Sequence, residues 1–284
     1  MAAFDIVGNI WLASGRRLAY LVSAIRSIAE LAPLTGRFLL NIENGQGLVG
    51  PLRKLVRATG FRQADISARP AASFGSAYVA MLQRTSADYI MHFEEDHFCV
   101  LKETAPMTRL LDFARSAAAD LVPLSLYRLR QARFAVLTPE ATDSSGRLFR
   151  WDQDNFSRML QHIPPGRPRA YFVGNNWLFS RQFALAYWMR PIPGKRPHPF
   201  ELYDPPEGAS LRLLLPSFEI LRPIDDDHGI EGSCCLRSGD EKWTRLSGMD
   251  LGVGAFRYLT WRAFRTPAWK SALRRVARVV ARQT

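Results

Sequence analysis

Three consecutive acids, Glu94-Glu95-Asp96, follow a short apolar run at Asp88–Phe93 and lead into His97. Carboxylates at this density suit a hard divalent cation, Mg²⁺ or Mn²⁺. Such an ion takes oxygen ligands from one or two carboxylates and completes its shell with phosphate and water. Bound to a diphosphate, it stabilises the negative charge that builds as the diphosphate departs. The outer pair, Glu94 and Asp96, are the expected metal ligands, with Glu95 beside the bound nucleotide. A second polar cluster, Asp225-Asp226-Asp227-His228-Gly229, offers His228 as a further ligand, or else forms an acidic surface turn. His92 and His97 read as structural.

A three-residue acidic motif also fits a solvated loop, so its setting decides. The first hundred residues alternate strand and helix. Asp5–Ala13 reads as a buried strand, and Leu18, Leu21, Val22, Ile25, Ile28 and Leu31 recur at helical spacing, with Pro33 as a stop. Arg37–Ile42 reads as a second strand and Leu52, Leu55 and Val56 as a second helix, with Gly60 just past its end. A weak third strand at Ala64–Ala68, a third helix with Phe74, Tyr78, Met81 and Leu82, and a fourth strand at Asp88–Phe93 complete the half. This order implies a mostly parallel sheet with helices on its faces. Ligands of such sheets bind at the carboxyl ends of the strands. Ser14–Arg16, Glu43–Asn44 and Glu94–His97 all fall at such ends.

The remainder is less regular. A helix over Met107–Ala114, strands at Leu121–Leu126, Phe149–Trp151 and Ala170–Phe179, and a helix at Arg181–Met189 are expected. Six prolines between Pro191 and Pro206 exclude regular structure there. A helix over Glu207–Leu215 and a strand at Glu219–Ile224 follow. Arg128, Arg130 and Arg133 read as a solvated basic face. We expect residues 1–105 to form the nucleotide-binding half, 106–257 the acceptor-side half of the same domain, and 258–284 a basic C-terminal helix.

Composition bounds the class. An apolar fraction of 47% supplies a core and excludes a disordered chain. A formal charge of +12 favours a polyanionic partner without choosing among nucleic acid, anionic membrane and phosphate-bearing substrate. The three cysteines, Cys99, Cys234 and Cys235, form no Cys-x-x-Cys pair and suit a reducing compartment. The start of the chain carries no basic region ahead of an apolar run, and no apolar stretch of about 18 residues appears, so neither a signal peptide nor a membrane span is expected. The expected location is cytoplasmic.

The stretch Tyr89-Ile90-Met91-His92-Phe93-Glu94-Glu95-Asp96-His97-Phe98 resembles the acidic metal-binding motif of family 2-like GT-A glycosyltransferases. The strand–helix order of residues 5–100 resembles that family's nucleotide-binding half. Glu94 stands where the family commonly has Asp. The resemblance implies a GT-A-like Rossmann-type sheet with a smaller acceptor-side lobe. It also implies a metal-dependent transfer of sugar from a nucleoside diphosphate sugar to a hydroxyl of a glycan or lipid-linked glycan. By the same resemblance Ser14 and Arg16 contact the nucleotide and Glu43 lies near the base or ribose. Gly174-Asn175-Asn176-Trp177-Leu178-Phe179-Ser180-Arg181 resembles the acceptor-side strand, and Glu207, ahead of Leu211 and Arg212, stands as the base of an inverting reaction, with Asp204 and Glu201 as competitors. Gly208 replaces the family's second acid there.

From Tyr258 onward Trp261, Phe264 and Trp269 lie among Arg262, Arg265 and Lys270, followed by Arg274, Arg275, Arg278 and Arg282 interleaved with aliphatic residues. This pattern fits an amphipathic helix on an anionic membrane surface, on the inner face of the membrane, and equally a helix packed on the domain. No nucleic-acid module accompanies it, so nucleic acid is not an expected partner. Two rival readings are a nucleotidyltransferase, whose Gly-rich, Lys-bearing loop is missing after the first strand, and a catalytically inactive protein of the same fold that binds membrane.

Overall fold

The computed structural model describes residues 3–12, 15–69, 74–95, 97–125, 131–161, 177–188, 208 and 210–223. Strand β1 (Phe4–Ile10) leads to helix α1 (Gly15–Ser27), which tightens into a 3₁₀ helix over Ile28–Leu34. Pro33 sits inside that 3₁₀ turn rather than after it. Then come β2 (Thr35–Ile42), α2 (Val49–Ala58), β3 (Gln63–Ser67), α3 (Phe74–Leu82), β4 (Tyr89–His92) and β5 (His97–Cys99). The rest consists of α4 (Ala105–Ser116), β6 (Leu121–Pro123), β7 (Ala141–Thr142), β8 (Gly146–Trp151), α5 (Gln153–Gln161), β9 (Trp177–Ser180), α6 (Arg181–Trp188), β10 (Leu211–Pro216) and β11 (Leu221–Pro223).

Nine of these strands form one sheet in the order β3-β2-β1-β4-β9-β6-β10-β8-β7. β3, β2, β1 and β4 pair in parallel, as do β6 and β10. β9 runs against both β4 and β6, and β8 against β10 and β7. The sheet is therefore mostly parallel, as the alternating sequence implied. β5 and β11 make a separate antiparallel pair.

Both faces are covered. Phe4, Ile6 and Ile10 of β1, Phe38, Leu40 and Ile42 of β2, and Met91 of β4 face a core filled by Leu18, Leu21, Val22 and Ile25 of α1, Leu52 and Val56 of α2, and Leu110 and Leu111 of α4. The intervening residues Val7, Leu39 and Ile90 face a second core with Tyr78, Met81 and Leu82 of α3, Phe156 of α5 and Phe183 of α6. Alternate strand residues point to opposite faces, and the helical spacing in α1 puts its apolar residues on one side. Each fully buried aliphatic or aromatic side chain contributes about 1.5–3 kcal/mol, so both patterns strongly favour this arrangement.

At the amino edge, buried Asp5 replaces a missing stretch of ladder. Its carboxylate accepts from the amides of Arg37 (2.7 Å), Ser86 (2.7 Å) and Ala87 (3.1 Å). This carboxylate joins the start of β2 to the turn before β4.

The helix expected over Glu207–Leu215 is overturned. Leu211–Pro216 is a strand, paired with β8 along its length and with β6 at Leu213↔Leu121. Its apolar run is continuous because both sides are covered: Leu214 belongs to one core, and Leu213 and Leu215 to the other. A strand buried on both faces loses the alternation that distinguishes it from a helix. α5 and β7 were not anticipated, and β6 ends at Pro123 rather than at residue 126. The tail beyond residue 223, the proline-rich segment and the basic run at Arg128 and Arg130 lie outside the described residues.

Candidate active site at the carboxyl edge

The sheet order creates one position where successive connections diverge. β1 passes to β2 on one side and β2 to β3 beyond it, whereas β4 lies on the other side of β1. In open α/β sheets the crevice at such a reversal, outside the carboxyl ends of the strands, is where ligands bind. Here it is bounded by the segment between β1 and α1 and by the acidic turn that follows β4.

β4 reaches this crevice in close contact with β1. The Phe93 amide donates to the Val7 carbonyl at 2.9 Å. A Cβ on Gly8 would come within 2.9 Å of the Phe93 carbonyl oxygen and 3.1 Å of both Leu40 Cδ1 and Phe93 Cδ1. Gly8 therefore allows the two strand ends to approach closely. Phe93 then packs edge-on against Phe38 with ring centroids 5.5 Å apart, which anchors the turn to the core.

Within the turn, each described carboxylate faces a nitrogen group of the protein. Glu94 Oε2 stands 3.2 Å from His97 Nδ1, and Glu94 Oε1 stands 3.8 Å from His92 Nε2. His92 Nδ1 lies 2.9 Å from the Tyr78 hydroxyl of α3. Burial foremost, and the nearby Glu94 charge second, push the Tyr78 hydroxyl well above the ordinary phenol range, so it stays protonated. The tautomer that accepts the Tyr78 proton at Nδ1 carries its own proton on Nε2, on the side of Glu94 but beyond hydrogen-bond length of it. Glu95 Oε1 accepts from Arg17 Nη1 at 3.0 Å, and both side chains are largely buried, at 13% and 15% exposed. Arg17 lies in the first turn of α1, so this pair ties the segment after β1 to the acidic turn across the crevice.

A polar row continues across the sheet on one face. Asn41 Nδ2 donates to Asn9 Oδ1 at 2.9 Å, and Asn9 Nδ2 donates to Glu43 Oε1 at 2.7 Å. Asn41 also donates to the Arg69 carbonyl and accepts from the Arg69 amide, both at 2.9 Å, while the Ser67 hydroxyl donates to Asn41 Oδ1 at 2.9 Å. Asn9 and Asn41 are partners in register, as are Asn41 and Ser67. Beside this row Asn44 clasps the Leu12 backbone, donating to its carbonyl at 2.7 Å and accepting from its amide at 3.0 Å. Glu43 is thereby fixed at the carboxyl end of β2, and the loops after β1 and β2 are joined.

The other expected residues divide as follows. Ser14, Asp96, Glu207 and His228 lie outside the described residues, and Arg16 stands in the first turn of α1. Asp96 lies between Glu95 and His97 in the chain, so the turn's two anchored sides flank it. β11 ends at Pro223, paired with His97, and His228 is five residues further on. That is a reach of about 17 Å at full extension. Glu207 has a different origin. β10 is parallel to β6 and begins at the amino edge, where the Arg212 amide donates to Asp120 Oδ2 at 2.9 Å. Glu207 precedes that end by four residues, about 14 Å of extended chain.

Among the described residues the turn offers two carboxylates, Glu94 and Glu95. Glu94 and Glu95 already face His97 and Arg17, and no group of three or more His, Cys, Asp or Glu side chains among the described residues is arranged to hold a metal. A cation of the Mg²⁺ type needs only one or two carboxylates when phosphate and water complete its shell. Sequence reasoning did not name Arg17 or the Asn9–Asn41–Ser67 row. The repeated Asn-Ile pair closing both β1 and β2 was the available signal.

No family model matches the sequence, and no curated protein matches it. Solved structures resemble the fold. TarS residues 1–349 of S. aureus in complex with UDP is 8% identical, with a TM-score of 0.49 over 78% of this chain and 60% of that one. Glucosyl-3-phosphoglycerate synthase from Mycobacterium tuberculosis in complex with Mg²⁺ and UDP is 15% identical, with a TM-score of 0.36 over 63% and 56%. CMP:2-keto-3-deoxy-manno-octonic acid synthetase complexed with CTP is also 15% identical, with a TM-score of 0.36 over 66% and 78%. The chain spans about 60% of the length of the TarS fragment.

Proposed function

We propose that the protein is a glycosyltransferase that takes a sugar from a nucleoside diphosphate sugar and transfers it to a hydroxyl acceptor. The observation that supports this most is the acidic turn itself. It follows an apolar central strand, at the point of a mostly parallel sheet where the strand order reverses, and a buried ion pair joins it to the start of α1. The resemblance of residues 89–98 to the GT-A motif points the same way.

In this reading the nucleoside lies over the carboxyl ends of β1 and β2, beside Glu43, whose carboxylate is held by Asn9. The diphosphate extends toward Glu94–Asp96, near Ser14, Arg16 and Arg17 at the start of α1. That helix start adds a positive dipole end. A Mg²⁺ or Mn²⁺ ion held by Asp96, with His228 as a further ligand, would neutralise charge on the departing diphosphate. The acceptor oxygen bonds to the anomeric carbon as the bond from that carbon to the diphosphate oxygen breaks. The hydroxyl proton passes to a base, and the nucleoside diphosphate leaves. For an inverting reaction we propose Glu207 as that base. Because its strand starts at the far edge of the sheet, its test is separate: Glu207→Gln should retain slow donor hydrolysis and lose transfer to the acceptor. The basic tail supports a lipid-linked glycan at an anionic membrane surface as the acceptor. No helix among the described residues is long and apolar enough to cross a membrane.

A screen of sugar nucleotides for slow hydrolysis tests the reading. One donor should be turned over by the wild-type protein in the presence of Mn²⁺, and Asp96→Asn should abolish that turnover. Equal turnover by both proteins would remove Asp96 from the mechanism. Release of pyrophosphate from a nucleoside triphosphate and a sugar would instead identify a nucleotidyltransferase.

A further inference from the structure

Between Asn44 and Ala64 the chain carries four cations, Arg53, Lys54, Arg57 and Arg62, and no acid. The fold gathers them beside β3, the edge strand of the sheet. In α2, Leu52 and Val56 are buried, so the opposite side of the helix holds Gly50, Lys54 and Arg57, spaced i, i+4 and i+7. All three are exposed, and a Cβ on Gly50 would meet nothing within 4 Å. At the helix end Gly60 has a φ of +100°. Its amide donates to the Arg57 carbonyl at 3.0 Å, and the Phe61 amide donates to the Val56 carbonyl at 3.4 Å. This reversal packs Phe61 on Phe38, with ring centroids 5.0 Å apart. It also sets exposed Arg62 at the start of β3, beside the end of α2 that carries Arg57. Arg53 is tied back, donating to the Ile66 carbonyl of β3 at 3.2 Å.

Several other exposed cations are matched within the fold. Arg84 pairs with Asp65, Arg115 with Asp88 and Asp112, and Arg150 with Asp152. Among the described residues no carboxylate pairs with Lys54, Arg57 or Arg62. Like charges one helical turn apart repel, and here only an external anion offsets that repulsion. The chemistry of the face selects the anion. No aromatic or large aliphatic residue between 46 and 63 is exposed. The face therefore has no platform on which bases stack and no apolar anchor for a protein partner. A helix of ten residues, about 15 Å long, with bare backbone at Gly50 and two long cations beside it, suits a flat array of anionic headgroups. We propose that the side of α2 bearing Lys54 and Arg57, extended by Arg62, docks the protein on an anionic lipid surface. This surface is separate from the basic residues beyond 258 and does not depend on the sugar-transfer reading. α2 packs on one face of the sheet with α1 and α4, whereas the crevice lies at the carboxyl ends of β1 and β4, so covering α2 leaves the crevice open.

The test is co-sedimentation of the full-length protein with vesicles of phosphatidylcholine, alone or with roughly one third phosphatidylglycerol. Wild type should bind only the anionic vesicles, and less tightly as salt rises. Each basic residue near such a surface strengthens binding about fivefold. Lys54→Gln combined with Arg57→Gln should therefore weaken binding about ten- to thirtyfold, and adding Arg62→Gln should weaken it about fivefold more. The control pair is Arg84→Gln with Arg158→Gln. It removes the same charge from exposed positions just past α3 and on α5, which pack on the opposite face of the sheet, and should stay within about threefold of wild type. Both pairs keep every basic residue beyond 258, so any contribution from there is common to them. Slow hydrolysis of a sugar nucleotide in solution should be unchanged by Lys54→Gln with Arg57→Gln. Equal losses from the two pairs, or no binding of wild type to the anionic vesicles, would overturn the proposal. So would loss of donor hydrolysis in the α2 pair, or a random DNA duplex that displaces the vesicles and itself binds through Lys54 and Arg57. A wild-type protein that meets the vesicle predictions and hydrolyses no sugar nucleotide would count against the transfer reading alone.

Discussion

Replacing Asn41 by Leu tests whether the polar row at the carboxyl edge holds the nucleotide side of the crevice together. Asn41 is 3% exposed, and its amide takes part in four hydrogen bonds, with Asn9, Ser67 and both backbone groups of Arg69. Leucine has a similar volume and removes all four. Arg69 is exposed and Ser67 partly so, so water can replace their lost partners. Asn9 is 5% exposed, and the loss there is not recovered. A buried polar group deprived of its partner costs about 1–3 kcal/mol. Adding a fraction of that for the partly exposed groups, and subtracting roughly 1 kcal/mol for the apolar gain, leaves a net loss of about 1–2.5 kcal/mol. For a chain of this size that is a fall in Tm of roughly 2–8 °C. Urea denaturation at neutral pH reads the stability, and nucleotide titration reads the site. Asn9 should then hold Glu43 less firmly, so nucleoside diphosphate affinity should fall more than in Ser67→Ala, which removes only the outer end of the row. Stability within 0.5 kcal/mol of wild type, with unchanged nucleotide affinity, would refute the reasoning.

Alkaline conditions should destabilise the fold. Burial foremost pushes the Cys99 thiol up from 9.0 to about 12 and the Tyr89 hydroxyl up from 10.0 to about 12. For acids with raised folded values, the unfolded chain ionises first, so the stabilisation is fully present below about pH 9 and is lost as pH rises toward 12. Denaturation midpoints under reducing conditions should be level between pH 7 and pH 9 and fall at pH 10 and 11, and in Cys99→Ala they should fall less steeply; parallel slopes would contradict this. Gly8→Ala should cost about 1–3 kcal/mol, because its Cβ would meet the Phe93 carbonyl at 2.9 Å and the strands must part. It should also weaken Mn²⁺ binding by moving the turn, and an Ala variant with wild-type melting temperature would contradict the close approach.

The first half of the fold was legible because its physics is local. In β1 and β2 the apolar residues are dense and bounded by turn residues, and in α1 Leu18, Leu21, Val22 and Ile25 recur at the spacing that buries one side. The acidic turn was legible because Glu94–Asp96 directly follows the buried strand Tyr89–His92. β10 was misread because leucines on both faces erase the period that marks a strand. The partners of Glu94 and Glu95 were not legible at all. They involve Tyr78, His92, His97 and Arg17, which are distant in sequence and adjacent only after folding. His92 and His97 were read as structural, and their burial agrees, but their shared partner Glu94 could be identified only from coordinates.

The central claim concerns where the nucleotide and its cation sit. A crystal of the protein grown with Mn²⁺ and whichever of UDP, GDP or CDP binds most tightly, measured at the manganese absorption edge, addresses it directly. One anomalous peak is expected beside Asp96, between the ends of β1 and β4, with the diphosphate against it and the nucleoside toward Glu43. A nucleotide bound elsewhere with this crevice vacant, or a manganese peak at any other carboxylate, would contradict it.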